Sequence, residues 1–310
     1  MLKWEGPFHA WMVRVKNWLS HADQAKLLAG RGLLISDLQE CEARLSQVNY
    51  YRWSGYFRYF QVAPHAGDNS FVPGTTFDEI WEIYSVDAHL RSALVPLLES
   101  PEVLLRASYA YVVGQKTAPT GLYLDDAYFS GTPNSESLSA ACRKDLDRSR
   151  ERFILRYKDV SQADPHASLP VWSAVESFSF GTLSKCIQRA DQGTLKDEVA
   201  DVIGVPRDGF DTRVRALVYL RNRCAHHARL WRHSVIDAGR TPNNVRKKVK
   251  KQVGQFHPRS VMDVLASLDD LLHRKFIEGG AVAFVTDRPR RDTFLDGLLK
   301  PRAHRDGSSA

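Results

Sequence analysis

The sequence has 310 residues, 43% of them hydrophobic and 10% aromatic, which is typical of a globular protein and unlike a disordered chain. It carries 43 Lys and Arg against 36 Asp and Glu, and this net charge of +7 favours a polyanionic partner, with nucleic acid ahead of a membrane surface. No apolar run is long enough for a membrane span, no secretion signal is recognisable, and the four cysteines form no Cys-x-x-Cys pair, so we expect a cytoplasmic protein without a disulfide framework.

Helical spacing dominates the first part of the chain. A helix is predicted from Leu27, broken at Gly30–Gly32 and resumed after Ser36, which is a favourable N-cap residue. The Pro, Gly and Asn content of residues 63–76 predicts a loop. We find no convincing run of alternating strands.

The segment Asn49–Phe60 (NYYRWSGYFRYF) interleaves aromatic and basic residues and has two interpretations. Such residues suit a platform on which unpaired bases stack. Trp53, Phe57 and Phe60 also fall on one helical face, which is typical of core packing. We favour packing.

The middle of the chain is predicted to contain a long helix that begins after Thr76 as its N-cap, with Asp78 and Glu79 in the first turn. Pro96 and Pro101 should kink or end this helix, and another helix should follow them. Further helices are predicted over residues 138–157, 171–190, 210–231 and 260–276. The Lys-rich stretch between the last two is predicted to be a basic linker.

These elements predict an all-α protein. We expect an N-terminal helical region over residues 1–75, a helical domain over 76–276 and a basic, loose tail over 277–310. We find no internal repeat.

The predicted helix Phe210–Trp231 carries an unusual set of polar residues. Its apolar residues recur every three or four positions, and Arg221 interrupts them, although burying its charge costs several kcal/mol unless the guanidinium is paired or lines a polar cleft. Asn222 and His226 are four residues apart and share an adjacent face. Arg221 and His226 lie roughly 140° apart around a regular helix. They meet only if the arginine curls round or a second copy of the helix faces the first.

Arginine, asparagine and histidine together suit RNA cleavage without a metal. The ribose 2′-OH attacks the adjacent phosphorus, histidine acts as acid or base near neutrality, and the arginine fork matches two phosphate oxygens. Asparagine orients the imidazole or binds a phosphate oxygen. A solvated basic face is the competing interpretation, because so short a motif arises by chance. A metal site at Cys224 and His227 lacks a second ligand pair, so we predict no metal and no cofactor.

Basic residues near this motif and in the run Val245–Gln252 (VRKKVKKQ) form a predicted RNA-binding surface that follows the phosphate backbone without sequence choice. Its members are Arg223, His227, Arg229, Arg246, Lys247, Lys248, Lys250 and Lys251. A solvated surface without function is an equal alternative for the run. Glu102 and Glu176 lie in apolar helices and are expected to pair with Arg221 or another arginine, since a catalytic carboxylate would repel a phosphate.

The stretch LRNRCAHHARLW (Leu220–Trp231) resembles the signature helix of the Abi-like proteins, the AbiD/AbiF group of bacterial abortive-infection proteins. Three other stretches resemble the same family in the same order: Gly30–Phe60, Thr75–Ser100 and Leu169–Lys185. The resemblance implies a HEPN-like helical bundle with an N-terminal helical extension, in which an R-x-x-x-x-H motif carries metal-independent RNase activity. The motif falls on Arg221, Asn222 and His226, which become the predicted catalytic residues.

The chain departs from the family pattern at two places. Arg232 stands where family members usually have Asn after Leu-Trp, and Pro101 lies in a segment that is usually an uninterrupted helix ending in an arginine, here Arg106. Neither departure touches the three motif residues.

The resulting expectation is an endoribonuclease that acts as a toxin or phage-defence effector. Its expected partners are an RNA substrate, an antitoxin (a small RNA or a protein) and a second copy of the chain, whose motif would complete a composite site. No membrane partner is expected. The alternatives are a catalytically silent RNA-binding module and a helical interaction protein whose polar helix is a dimer seam.

Overall fold

The computed structural model describes residues 17–116, 120–131, 137–235, 239, 241–274, 280–287 and 292–301. Within these ranges the fold is all-α, as predicted, and it also contains one small two-stranded sheet that was not predicted. The chain divides into two compact units, one ending at Trp81 and the other beginning at Glu82. No helix in the described ranges is both long and apolar enough to cross a membrane.

In its described residues, from 17 onward, the first unit contains three short α-helices and a hairpin. They are α1 (His21–Gly30), α2 (Leu38–Gln47), α3 (Tyr50–Phe57), β1 (Gln61–Ala63) and β2 (Asp68–Phe71). The N-cap of α2 is Asp37 and not Ser36, because the Asp37 carboxylate accepts hydrogen bonds from the first free N–H groups of the helix. The loop predicted over residues 63–76 is wrong in part, since the antiparallel pair β1–β2 reaches into it.

Aromatic side chains form the core of the first unit. Trp53 and Phe57 are almost fully buried, with ring centroids 5.2 Å apart, and Trp53 also packs against Phe77 at 5.0 Å. This confirms the packing interpretation for both residues, while Phe60 is half-buried. Rings packed edge to face add to the free energy gained by burying their area.

The long helix α4 (Phe77–Lys116) begins as predicted, because Thr76 Oγ1 accepts from the N–H of Glu79 at 3.1 Å. It does not end at its prolines, and the separate helix expected after them is part of α4. Each proline removes one helical hydrogen bond and costs about 3 kcal/mol. Burial of four leucines near Pro96 and Pro101 offsets that cost, at about 1.5–3 kcal/mol each. These are Leu90, Leu94, Leu98 and Leu105.

The second unit continues with ten helices in the described ranges. They are α5 (Leu138–Arg148), α6 (Arg152–Leu155), α7 (Val171–Ser177), α8 (Phe180–Arg189), α9 (Leu195–Ile203), α10 (Phe210–Ala225), α11 (Asn243–Val253), α12 (Val261–Arg274), α13 (Ala281–Thr286) and α14 (Asp292–Leu299). Helix α12 is central and contacts α10, α11, α13 and α14. The buried Arg213 ties α10 to it, donating to Ser267 Oγ and to Asp270 Oδ2, both at 2.9 Å. These bonds fix the helix that carries the predicted site.

Two segments expected to be irregular are helical. The basic linker contains α11, whose Val245, Val249 and Val253 are four residues apart and buried on one face. Part of the predicted loose tail forms α13 and α14, which bury apolar residues such as Val282 and Leu298. The last residues of that tail, 302–310, lie outside the described ranges.

Candidate functional site

Helix α10 ends at Ala225, so the prediction of a helix to Trp231 is wrong. His226 is the C-cap, and His227 adopts the left-handed conformation with φ 54°. The N–H of His227 donates to Cys224 O at 3.0 Å, and that of Ala228 donates to Arg223 O at 2.8 Å. These two bonds define a Schellman motif, which reverses the chain directly after His226, the histidine of the predicted motif.

Position 227 is one where glycine is usually found. Left-handed backbone costs an L-residue about 1–2 kcal/mol, although histidine accepts it more readily than most residues. A histidine here keeps an imidazole at an exposed turn beside His226. Strain of this kind is often found at functional sites.

The chain after the turn is held by Asp87 of α4, which sequence reasoning missed. Asp87 is fully buried, and its carboxylate accepts from the N–H of Leu230 at 3.1 Å and of Trp231 at 3.0 Å. It also pairs with the buried Arg91. Trp231 itself is fully buried and donates from Nε1 to Thr293 O at 3.4 Å. The Leu-Trp pair of the motif is therefore an anchor for the turn.

Arg223 supports the same turn from inside. Its Nε donates to Arg229 O at 3.0 Å, and its Nη1 donates to the Tyr219 hydroxyl at 3.3 Å. The Tyr219 ring stacks on His233 with centroids 5.6 Å apart, and the hydroxyl is hydrogen-bonded to His233 Nε2 at 2.5 Å. Arg223, a predicted RNA-binding residue, thus has its guanidinium engaged with the protein.

Protonation of His233 should make the stability of the fold depend on pH. Burial, with repulsion from Arg223 and Arg229, lowers the pKa of His233 from 6.5 to about 3. Between about pH 6.5 and about pH 3, the imidazole is therefore protonated in the unfolded chain and neutral in the folded chain. As the pH is lowered through this range, the free energy of unfolding falls by up to about 1.4 kcal/mol per pH unit. We expect His233→Phe, which keeps the stack on Tyr219, to flatten this part of the profile.

The measurement is denaturant unfolding of wild type and His233→Phe at about pH 7 and about pH 5. The difference between the two proteins isolates His233, because other titrating groups are common to both. Equal pH dependence in both proteins would contradict the assignment of His233 as a half-buried, neutral imidazole.

Arg221 is exposed, with 43% of its side chain accessible, so its predicted place in a buried stripe is wrong. The end of α10 is exposed on one side only, at Ala225 and His226 as well as Arg221, while Cys224 stays buried. Arg221 Nε lies 3.5 Å from Glu102 Oε2, and Nη1 donates to Asn222 Oδ1 at 3.3 Å. Nη2 has no hydrogen-bond partner among the described residues, so it is available to bind an anion.

Glu102 joins two arginines. Its Oε1 accepts from Arg106 Nη2 at 2.6 Å while its other oxygen faces Arg221, and only 13% of its side chain is exposed. The expected pairing of Glu102 is confirmed. Two guanidinium groups around one carboxylate leave the group net positive, which favours an anion at Arg221. Glu176, the other expected partner, is exposed and forms no ion pair within the described ranges.

The predicted catalytic residues lie together in sequence at the end of α10. Asn222 is half-buried, His226 is exposed, and the His226 ring has no hydrogen-bond partner in the part of the chain that the structure describes. A helix C-terminus carries partial negative charge and stabilises nearby cations, which gives the basic residues here a structural role as well.

The predicted RNA surface of α11 is split by its amphipathic pattern. Arg246 is buried, pairs with Asp263 and donates to Phe256 O at 2.9 Å, so it is not available to RNA. Burial raises the pKa of Asp263 to about 6 even though Arg246 lowers it. Lys247, Lys248 and Lys251 are exposed and Lys250 is half-buried. Near the motif, His227 is exposed and Arg229 is half-buried.

The described residues include no group of three or more His, Cys, Asp or Glu side chains placed to hold a metal ion. Cys224 is buried, and burial raises its pKa to about 12, which keeps it a thiol at neutral pH.

Comparison with known proteins gives one match. The family model described as Abi-like protein matches residues 43–232, which is more than half of the chain and includes the whole of α10 and the turn after it. No curated protein and no solved structure matched the chain.

Proposed function

Since the chain belongs to the Abi-like protein family, whose membership points to a role in abortive infection, we propose that it is a metal-independent endoribonuclease acting as a toxin or phage-defence effector. Arg221, Asn222 and His226 are its proposed catalytic residues. The observation that carries the proposal is their placement at the C-terminal end of α10, directly before a turn that the buried Asp87 holds. A preorganised site of this kind stabilises a transition state without reorganising.

Arg221 and Asn222 have roles that their contacts support, and His226 is exposed to a substrate. Arg221 is oriented by Glu102 and Asn222 and presents Nη2 to the scissile phosphate, where its charge stabilises the phosphorane. His226 exchanges protons with the 2′-OH or the leaving 5′-oxygen, for which histidine is suited near neutral pH. Asn222 keeps the guanidinium in place.

Cleavage should require the ribose 2′-OH and no metal ion, because the proposed site consists of Arg, Asn and His. We expect products with a 2′,3′-cyclic phosphate and a 5′-hydroxyl, and full activity in EDTA. The measurement is mapping of RNA ends after incubation of the purified chain with single-stranded RNA. A fully deoxy substrate is the matched control and should remain intact. Loss of cleavage in EDTA, or cleavage of the deoxy strand, would contradict this mechanism.

We also propose that two copies of the chain form the active unit, with the ends of both α10 helices at one groove. In-line cleavage is helped by an acid and a base, and one copy supplies a single His226. A two-fold axis would set the same patch opposite itself. Repulsion between the two arginine clusters opposes this pairing until RNA or an antitoxin supplies counter-charge.

The dimer is tested by measuring mass in solution with and without a short RNA, and by mixing two inactive variants. Arg221→Ala and His226→Ala subunits should together recover part of the activity, because mixed dimers contain one intact copy of each residue. A fully active monomer would contradict the composite site and leave the RNase proposal standing.

A second candidate function is a catalytically silent module that binds RNA or an antitoxin. The pairing of Arg221 with Glu102 favours it, because an arginine held by a carboxylate also serves a structural role. The two functions differ in their response to loss of His226. In His226→Ala, RNA binding should persist for either function, but RNA cleavage should be lost only if the protein is a nuclease.

A further inference from the structure

A groove of about 510 Å³ lies beside the end of α4. Small residues of α4, Ala107, Ala110 and Gly114, line it together with Tyr111 and with Trp172 of α7. Tyr111 is 57% exposed and Trp172 is 52% exposed. The volume falls in the range of roughly 300–1,000 Å³ that small-molecule sites occupy.

The groove suits a flat ring. Ala107, Ala110 and Gly114 are three and four residues apart and share one face of α4, where they line the groove without long side chains. A Cβ added to Gly114 would lie 3.7 Å from the Trp172 indole, so the indole lies against α4 at that point. Exposed aromatic faces of this kind bind unpaired nucleobases by stacking.

Glu176 gives the groove a chemical preference. It follows Trp172 by four residues on α7, so both side chains lie on one face, and it lines the same groove. Its carboxylate is exposed and forms no ion pair within the described ranges, so it repels phosphate and accepts N–H donors. Guanine is the base with two adjacent donors, N1–H and the N2 amino group, on one edge. Two parallel bonds to one carboxylate therefore select guanine over the other bases.

The groove is joined to the proposed catalytic site by a chain of contacts. Arg106 donates to the carbonyl of Val175, the residue before Glu176, and to Glu102, which faces Arg221. Along α4, Tyr111 lies nine residues and about 14 Å beyond Glu102. A strand with its phosphate at Arg221 can therefore place a nearby base in the groove.

We propose that this groove is a guanine-selective subsite, in which an unpaired guanine of the RNA stacks on Trp172 and Tyr111 while Glu176 accepts from N1 and N2. The proposal rests on the proposed function for the identity of the strand. It adds a base preference that the catalytic residues do not provide.

The test measures equilibrium binding of three short RNA strands. One is oligoadenylate, and in the other two a single adenosine is replaced by guanosine or by inosine. The protein is the full chain with His226→Ala, so that no RNA is cut. We expect the guanosine strand to bind roughly 5- to 100-fold more tightly than oligoadenylate, with inosine between them because it lacks the N2 amino group. Glu176→Gln should remove this preference, whereas Glu42→Gln, a change at another exposed glutamate, should keep it.

Trp172→Ala should weaken binding of all three strands by roughly 5- to 100-fold, and Trp172→Phe should retain most of the affinity. A guanine preference that survives Glu176→Gln would overturn the proposal. So would a Trp172→Ala variant with unchanged RNA binding and altered mass in solution, because the groove would then bind a second copy of the chain. Guanine-selective binding without RNA cleavage by wild type would contradict the proposed nuclease function and support the guanine subsite. RNA cleavage that depends on His226, together with RNA binding that shows no base preference, would support the nuclease function and contradict the subsite.

Discussion

His226→Ala is expected to abolish growth arrest and to reduce RNA cleavage by about 10²- to 10⁴-fold, the range that a general acid or base contributes. The fold should not change, because the imidazole is exposed and its ring makes no hydrogen bond within the described ranges. RNA binding should persist, since Arg221 and the exposed lysines of α11 are untouched. The measurement is induced expression of wild type and variant, followed by mapping of cellular RNA ends and an assay with purified protein.

His89→Ala is the matched control, because His89 is an exposed histidine of α4 in the same unit and belongs to no proposed site. It should retain wild-type toxicity and cleavage. Wild-type cleavage by His226→Ala would contradict the assignment of His226 as the acid or base. Absence of cleavage by either protein, with RNA binding intact, would favour the catalytically silent module.

The residue types of the site were readable from the sequence, but the shape of its backbone was not. Arg221, Asn222 and His226 stand at a spacing that regular helix explains, and nothing local marks the end of α10, because histidine and not glycine occupies the left-handed position 227. The N–H of His226 still donates to Asn222 O at 2.9 Å, so the roughly 140° separation of Arg221 and His226 around the helix is kept, and the turn redirects only the chain that follows.

Contacts between residues far apart in the chain explain most of the remaining differences between the predicted and the observed structure. Asp87 lies 143 residues from Leu230 in the chain, so its hydrogen bond to that backbone has no trace in local spacing. The valines of α11 did carry an amphipathic pattern, but the density of lysines around them favoured a linker. Conversely, Thr76 and the Trp53–Phe57 pair were predicted correctly, because caps and core aromatics act through near neighbours.

Asp87→Asn should produce the largest loss of stability. Asp87 and Arg91 are both buried, and removing one charge of a buried pair leaves the other uncompensated, at a cost of about 3–5 kcal/mol. The asparagine amide also replaces one acceptor oxygen with a donor, so one of the Leu230 and Trp231 N–H groups loses its acceptor. The measurement is denaturant unfolding, with Asp201→Asn as the control because Asp201 pairs with Arg207 at the exposed surface and should contribute little.

A second comparison separates two roles of Asp87, its ion pair with Arg91 and its hydrogen bonds to the turn after His226. In Asp87→Asn with Arg91→Met, both charges of this ion pair are removed, so part of the lost stability should return, and the double-mutant cycle gives the coupling between the two residues. RNA cleavage should stay low in this variant, because the N–H groups that hold the turn after His226 still lack the carboxylate. Recovery of stability together with full cleavage would show that the Asp87 carboxylate stabilises the core without positioning His226. Recovery of stability alone would establish Asp87 as a positioning residue that links the buried face of α4 to the proposed catalytic histidine.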